Sequence, residues 1–369
     1  MKVNTISLNS VRLNTIALNH IGEIRSGGGG SKPSPIHQWI REHVVFYYDV
    51  KKQGATNETL KESAYLQDLS GKGRRMKLNN FLFAEMSGVG GYNDNFSNWK
   101  TDSNNGVVKI ESDSSIVMQS VKIEYRGILY QDSSKNATLK CNITGITEEL
   151  KGKLIFRYTD AEGGKNITLE NGYFEFNSSE YEGLSGWYGF TSKQPIDNCN
   201  ITITQIPEYP GALVTDGVDD YGLVENLSSG VKMLFMTVNP IGDFNISKMF
   251  YSQRKDPIVI NPFYIFTGGS SIAYSGNRDG VTYINGVLNK SIKYNELFGV
   301  KHIITTVNAN VKPETSKAPS FFWEEGSTKN YCSKLAFYNS IAFNSIPTEA
   351  DGFTEQELID YVLTNIIGQ

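Results

Sequence analysis

Gln67-Asp-Leu-Ser-Gly-Lys-Gly-Arg-Arg-Met-Lys-Leu-Asn-Asn-Phe81 and, far downstream, Tyr209-Pro-Gly-Ala-Leu-Val-Thr-Asp-Gly-Val-Asp-Asp-Tyr-Gly222 decide the fold between them. In the first segment Gly71 and Gly73 suit a tight turn with positive φ, and the turn leads into a strand that closes on Asn79-Asn-Phe-Leu-Phe83. In the second, Asp216-Gly-Val-Asp-Asp220 reads as a turn in which Asp side chains accept backbone N–H bonds before a strand resumes at Tyr221. Each segment is a strand, a turn and a strand.

Together the two segments resemble the signature of concanavalin A-like, laminin-G-like sandwiches, where they normally lie close together. The resemblance covers roughly residues 36–95 and 208–369. Within the second part, Lys232–Val238, Phe263–Thr267, His302–Val307 and Lys334–Ser340 read as strands, and Tyr283-Ile-Asn-Gly286 as a hairpin with a primed turn. Near the C-terminus Thr354-Glu-Gln-Glu357 is a capping box, Phe353 can staple onto Leu358, and Leu358, Ile359, Val362 and Ile366 share one helical face. The resemblance implies that this helix packs on the sandwich and carries no chemistry.

Residues 96–207 form the inserted module, rich in short alternating segments such as Val107–Glu111, Ala137–Thr144, Lys153–Tyr158, Asn171–Phe176 and Cys199–Ile206. Period-two patterning with frequent turns predicts a second β-sandwich. Its strand order is similar to that of jelly-roll carbohydrate-binding modules. The expected fold class is therefore all-β: a concanavalin A-like jelly-roll sandwich interrupted by another sandwich, with an extended N-terminal arm and a short C-terminal helix.

The arm, residues 1–25, contains Thr5-Ile-Ser-Leu-Asn, Ser10-Val-Arg-Leu-Asn and Thr15-Ile-Ala-Leu-Asn. A five-residue step turns an α-helix by about 500°, which scatters the leucines round the cylinder, so the arm reads as extended. Its apolar pairs need a larger assembly or copies of itself; the alternative is a disordered tail. Residues 26–35, Ser-Gly-Gly-Gly-Gly-Ser followed by Lys-Pro-Ser-Pro, read as a linker between anchor and payload, an engineered spacer being the alternative.

A chain of 369 residues suits two or three domains, and a formal charge of −4 without a basic run argues against nucleic acid. The N-terminus lacks the apolar core of a secretory signal, and no apolar stretch is long enough to insert in a bilayer. Cys141, Cys199 and Cys332 make no disulfide framework; Cys141 and Cys199 could meet, but separate buried thiols are the simpler reading. Sequons such as those at Asn57, Asn136, Asn142, Asn166, Asn200 and Asn245 read as ordinary turn and strand-edge composition in a chain without a secretory signal.

Retaining glucanases of the concanavalin A-like class carry paired carboxylates about 5.5 Å apart on one strand face. No Glu-x-Asp-x-Glu run occurs in the resumed sandwich, and Glu324 and Glu325 would point to opposite faces of a strand. His20, His37, His43 and His302 form no ligand or triad pair. The expectation is a protein that is not an enzyme. Asp216, Asp219 and Asp220 are the candidate Ca²⁺ ligands, with a structural turn as the preferred reading and no other cofactor expected. Glycan binding uses exposed aromatic faces, and the candidates are Trp187, Tyr188, Trp99, Tyr92 and Trp323, with Trp187 first.

The whole chain resembles laminin-G-like proteins of Bacteroidales phage or prophage virions. That resemblance implies a fibre or tail-associated adhesin, assembled in the host cytoplasm and exposed on the particle. Its expected partners are a glycan on the bacterial surface and other virion proteins bound through the arm, with a homotrimer inferred from the repeats. A purely structural virion component and a bacterial surface lectin are the alternatives.

Overall fold

The computed structural model describes residues 34–83, 86–134, 138–227, 230–241, 248–254, 264–268, 271–272, 280–289, 294–311, 316–322 and 332–368. The pentad arm, most of the linker and Trp323 lie outside the described residues. The chain divides into two compact units. One is built from the described residues up to Phe83, Ser87–Val89 and Gly211–Gln369; the other spans Gly90–Pro210 and includes Met86.

The first unit contains two antiparallel sheets. In one, the order is β22 (Val287–Asn289), β21 (Val281–Ile284), β23 (His302–Val307), β17 (Met233–Pro240), β25 (Leu335–Phe343), β15 (Leu213–Val214) and β4 (Gly88–Val89), with β1 (Val44–Asp49) also paired to β25. In the other it is β2 (Tyr65–Leu66), β3 (Met76–Asn79), β16 (Tyr221–Val224), β24 (Ser316–Phe321), β18 (Lys248–Arg254), β19 (Tyr264–Gly268) and β20 (Ser271–Ile272). The two quoted segments meet here: Tyr221 pairs with Asn79 and Val224 with Met76.

Strands β1 and β17 are buried along their whole length, which ordinary half-buried strands are not. Both faces of their sheet are covered. Phe46, Tyr48, Leu234, Met236 and Val238 pack with Met76, Leu78, Tyr251 and Phe321 of the second sheet. On the opposite face, Tyr47, Met233, Phe235 and Ile341 pack with helix residues. Each such apolar side chain contributes roughly 1.5–3 kcal/mol when fully buried.

The helices are α1 (Pro35–His43), α2 (Asn57–Ser63), α3 (Tyr294–Leu297) and α4 (Glu355–Val362). Helix α4 carries the expected capping box: Thr354 Oγ1 accepts from Glu357 N at 3.2 Å and Glu357 Oε2 accepts from Thr354 N at 2.7 Å. It buries Leu358, Ile359 and Val362 together with Trp39 and Ile40 of α1. Helix α1 corrects the sequence reading of Pro35 as linker: Ser34 caps it, and Pro35 occupies the first turn, where its missing N–H costs nothing. Helix α2 is capped by Thr56. No described helix is long and apolar enough to cross a membrane.

The second unit packs two five-stranded antiparallel sheets face to face. One runs β11 (Gly163–Thr168), β10 (Leu154–Asp160), β13 (Trp187–Ser192), β8 (Leu129–Asp132), β5 (Lys100–Thr101). The other runs β12 (Gly172–Asn177), β9 (Thr138–Thr144), β14 (Ile201–Gln205), β7 (Ser115–Val121), β6 (Gly106–Ser112). Phe156, Tyr188 and Phe190 from the first sheet meet Leu139, Phe176 and Ile203 from the second. Cys141, Cys199 and Cys332 are buried and none is in a disulfide, and burial pushes the Cys141 and Cys199 thiols up.

Candidate functional site

Strand alternation sorts the aromatic candidates. Trp187 and Tyr188 are neighbours on β13, so their side chains point to opposite faces. Tyr188 is fully buried in the sandwich core, and desolvation pushes its phenol well up. Trp99 is also in that core, stacked on Phe190 at 5.9 Å, with its Nε1 donating to Asp94 Oδ2 at 2.8 Å. Neither offers a ring to a ligand, which corrects the expectation for both. Tyr92 is half-buried, and its carbonyl accepts from Met86 N at 2.9 Å.

Trp187 is half-buried on the outer face of the first sheet of the second unit, and Tyr130 of β8 joins it there. Their ring centroids lie 5.7 Å apart with planes tilted by 60°. Gly127 makes room for the indole: a Cβ at that position would come within 3.0 Å of it.

A line of paired residues crosses this face from edge to edge. Asn166 of β11 is opposite Arg157 of β10, Arg157 opposite Gly189 of β13, Gly189 opposite Tyr130 of β8, and Tyr130 opposite Lys100 of β5. Directly paired residues share a face, so these side chains point the same way. Gly189 is required because β8 approaches closely; a Cβ there would lie 2.3 Å from the Leu129 carbonyl oxygen. Trp187 sits two pairs further along, on the same face, opposite Asp132.

The Arg157 guanidinium is held in place. It lies 5.4 Å from the Tyr125 ring centroid, its Nη1 donates to Asn166 Oδ1 at 2.9 Å, and Gly164 beneath leaves it space. Lys100 and Arg126 each face a carboxylate, Asp132 at 3.9 Å and Asp102 at 2.9 Å respectively. The face combines two aromatic rings, an amide and fixed charges, which suits stacking on sugar C–H surfaces with polar groups setting orientation. The opposite sheet carries an open cleft of about 530 Å³ lined by Val107, Gln119, Ser120, Asn198, Cys199 and Asn200, without an aromatic platform.

Asp216, Asp219 and Asp220 bring carboxylate oxygens within 4.8 Å of one another, which is compatible with a cation. Their hydrogen bonds are those of a turn. Asp216 Oδ1 accepts from Val218 N at 2.7 Å and Asp219 N at 3.3 Å, while Asp220 Oδ2 accepts from Ser87 Oγ and Asp216 N, both at 2.8 Å. Asp220 is buried, its Oδ1 has no hydrogen-bond partner, and desolvation pushes its carboxyl up to about 7. The backbone N–H bonds accepted by Asp216 and Asp220 favour the turn reading over a hard-cation cage.

Several residues of the aromatic face escape sequence reasoning. Arg157 and Asn166 lie nine residues apart on the consecutive strands β10 and β11, but Tyr130 comes from a strand distant in the chain, and only pairing register brings it to the same face. The available signal was local: Arg157 lies between Phe156 and Tyr158, so alternation places it outward. The Asn57 sequon is buried, with Oδ1 accepting from Val89 N at 2.6 Å, and serves structure. His302 opens β23, its Nδ1 lies 3.1 Å from Asn285 Nδ2, and burial lowers its pKa. No family model, curated protein or solved structure matches this chain.

Proposed function

We propose that this protein is a non-catalytic adhesin that binds a bacterial surface polysaccharide through the Trp187–Tyr130 face of its inserted sandwich, displayed on a phage virion. The observation that carries the binding reading is that ring pair, 5.7 Å apart on an outer sheet face beside Arg157 and Asn166. Sugars present alternating apolar C–H faces and hydroxyls, and this surface offers complements to both.

Strand order supports a jelly-roll reading of the module. Strands β7-β14-β9-β12 lie in one sheet and β8-β13-β10-β11 in the other, so the chain shuttles between sheets as in a jelly roll, with β5 and β6 added at the edges. For the first unit, pairing of its opening strand β1 with its late strand β25 supports the concanavalin A-like reading. The virion assignment rests on the pentad repeats and the Gly/Ser linker, which suit an anchor and a spacer, and on the resemblance in sequence. Homotrimer formation belongs to the same proposal.

The test is an array of bacterial surface polysaccharides probed with the full chain and with Trp187→Ala. Truncating an aromatic at the centre of a binding surface costs about 2 kcal/mol or more, roughly thirty-fold in affinity. Saturable binding weakened by that factor is expected. Absence of binding to every polysaccharide overturns the adhesin reading in favour of a purely structural role.

A further inference from the structure

We infer that the polysaccharide bound by this face carries carboxylate groups, and that Arg157 is the residue that selects for them; the inference rests on the glycan-binding reading of the Trp187–Tyr130 face. Charge pairing across the face leads to it. Lys100 is near Asp132 and Arg126 is bonded to Asp102, so each of these cations is offset by a neighbour. Among the described residues, no carboxylate lies within ion-pair distance of Arg157, whose hydrogen bond goes to a neutral amide, Asn166 Oδ1. The fork has five N–H donors, and this contact occupies one of its nitrogens.

Geometry places that unspent charge at a useful distance. Arg157 and Tyr130 are on strands separated by β13 alone, so their backbones are about 10 Å apart. Between them Gly189, itself buried, contributes no side chain. A pyranose ring stacked on the Trp187–Tyr130 pair, with a carboxylate projecting from it, spans this gap. The guanidinium is pre-organised by the Tyr125 ring and by Asn166, so little side-chain freedom remains to be lost on binding. A planar fork matches a carboxylate bidentately, which a lysine ammonium cannot do.

The test uses the full chain and a panel of uronate-containing bacterial polysaccharides, each printed beside its carboxyl-reduced form, in which the acid has become a primary alcohol. Wild-type protein should bind at least one acidic member and lose tenfold or more of its affinity for the reduced partner. Binding should weaken as salt rises. Arg157→Gln should abolish the preference while keeping residual binding, and Arg157→Lys should restore only part of it. Equal affinity for acidic and reduced partners, with loss in Trp187→Ala, overturns the carboxylate inference and leaves the glycan reading standing. Binding to no member of either set overturns both. The wild-type comparison needs no variant to fold, so it decides the matter even if Arg157→Gln does not.

Discussion

Asp68, inside the Gln67–Phe81 segment, is the residue whose replacement should most damage the first unit. Its side chain is buried at 4% exposure, with Oδ1 accepting from Tyr47 N at 3.0 Å and Ser70 N at 2.9 Å, and Oδ2 accepting from Arg74 N at 3.0 Å. The carboxylate thus closes the Leu-Ser-Gly-Lys-Gly turn and ties it to β1. Asp68→Ala strips all three donors. Tyr47 and Ser70 are each 2% exposed, so their amides cannot turn to water, and a buried donor without a partner costs about 1–3 kcal/mol. Two of these give about 4 kcal/mol, while the half-buried Arg74 amide can be rehydrated. Asp68→Asn keeps one acceptor oxygen and turns its NH₂ towards Arg74 N–H, for a loss of about 1–2 kcal/mol. Urea unfolding measures the difference, and hydrogen exchange of Val44–Asp49 and Ser70–Arg74 shows where it acts. Losses below about 1 kcal/mol for Asp68→Ala, with unchanged exchange at Tyr47, would refute the reasoning.

Further outcomes follow from particular contacts. Asp220 has its folded pKa raised from 3.8 to about 7, so the folded state holds its proton more tightly than the unfolded chain. The stability this gives is full below about pH 4 and declines as pH rises to about 7; Asp220→Asn should flatten that decline in thermal melts recorded from pH 4 to 7. On the turn reading of Asp216, Asp219 and Asp220, added Ca²⁺ should leave the wild-type melting temperature unchanged, and a rise of several degrees would restore the metal site. Gly189→Ala should destabilise the second unit by about 2 kcal/mol or more through overpacking, since its Cβ would meet the Leu129 carbonyl oxygen at 2.3 Å; a neutral result in chemical denaturation would show that β8 can move away. Thr354→Ala removes the cap of α4 and should cost about 1 kcal/mol, measured the same way.

How much of this was legible in the sequence depends on the range of the interaction. The hairpin at Asn285-Gly286, with φ of 52° and 83°, and the capping box of α4 are written in a few adjacent residues, and the structure contains both. Helix α1 was equally local, in Ser34 and Pro35, but a Pro-rich stretch after glycines read as linker. Trp187 and Tyr188 show a different failure. Gly186 sits in the preceding turn at φ 71° and Gly189 lies inside the strand. Strand alternation then forces one ring out and the other into the core. Beyond the local Arg157–Asn166 pair, the line through Gly189 and Tyr130 to Lys100 could not be read, because that register depends on the packing of the whole sheet.

The most direct measurement of the central claim is hydrogen exchange of the full chain with and without a surface polysaccharide selected by binding. The account predicts protection in Leu129–Asp132, Leu154–Asp160 and Trp187–Ser192, the strands that carry Tyr130, Arg157 and Trp187. Protection confined to Ser115–Val121 and Ile201–Gln205 on the opposite sheet, or to strands of the first unit, would contradict it.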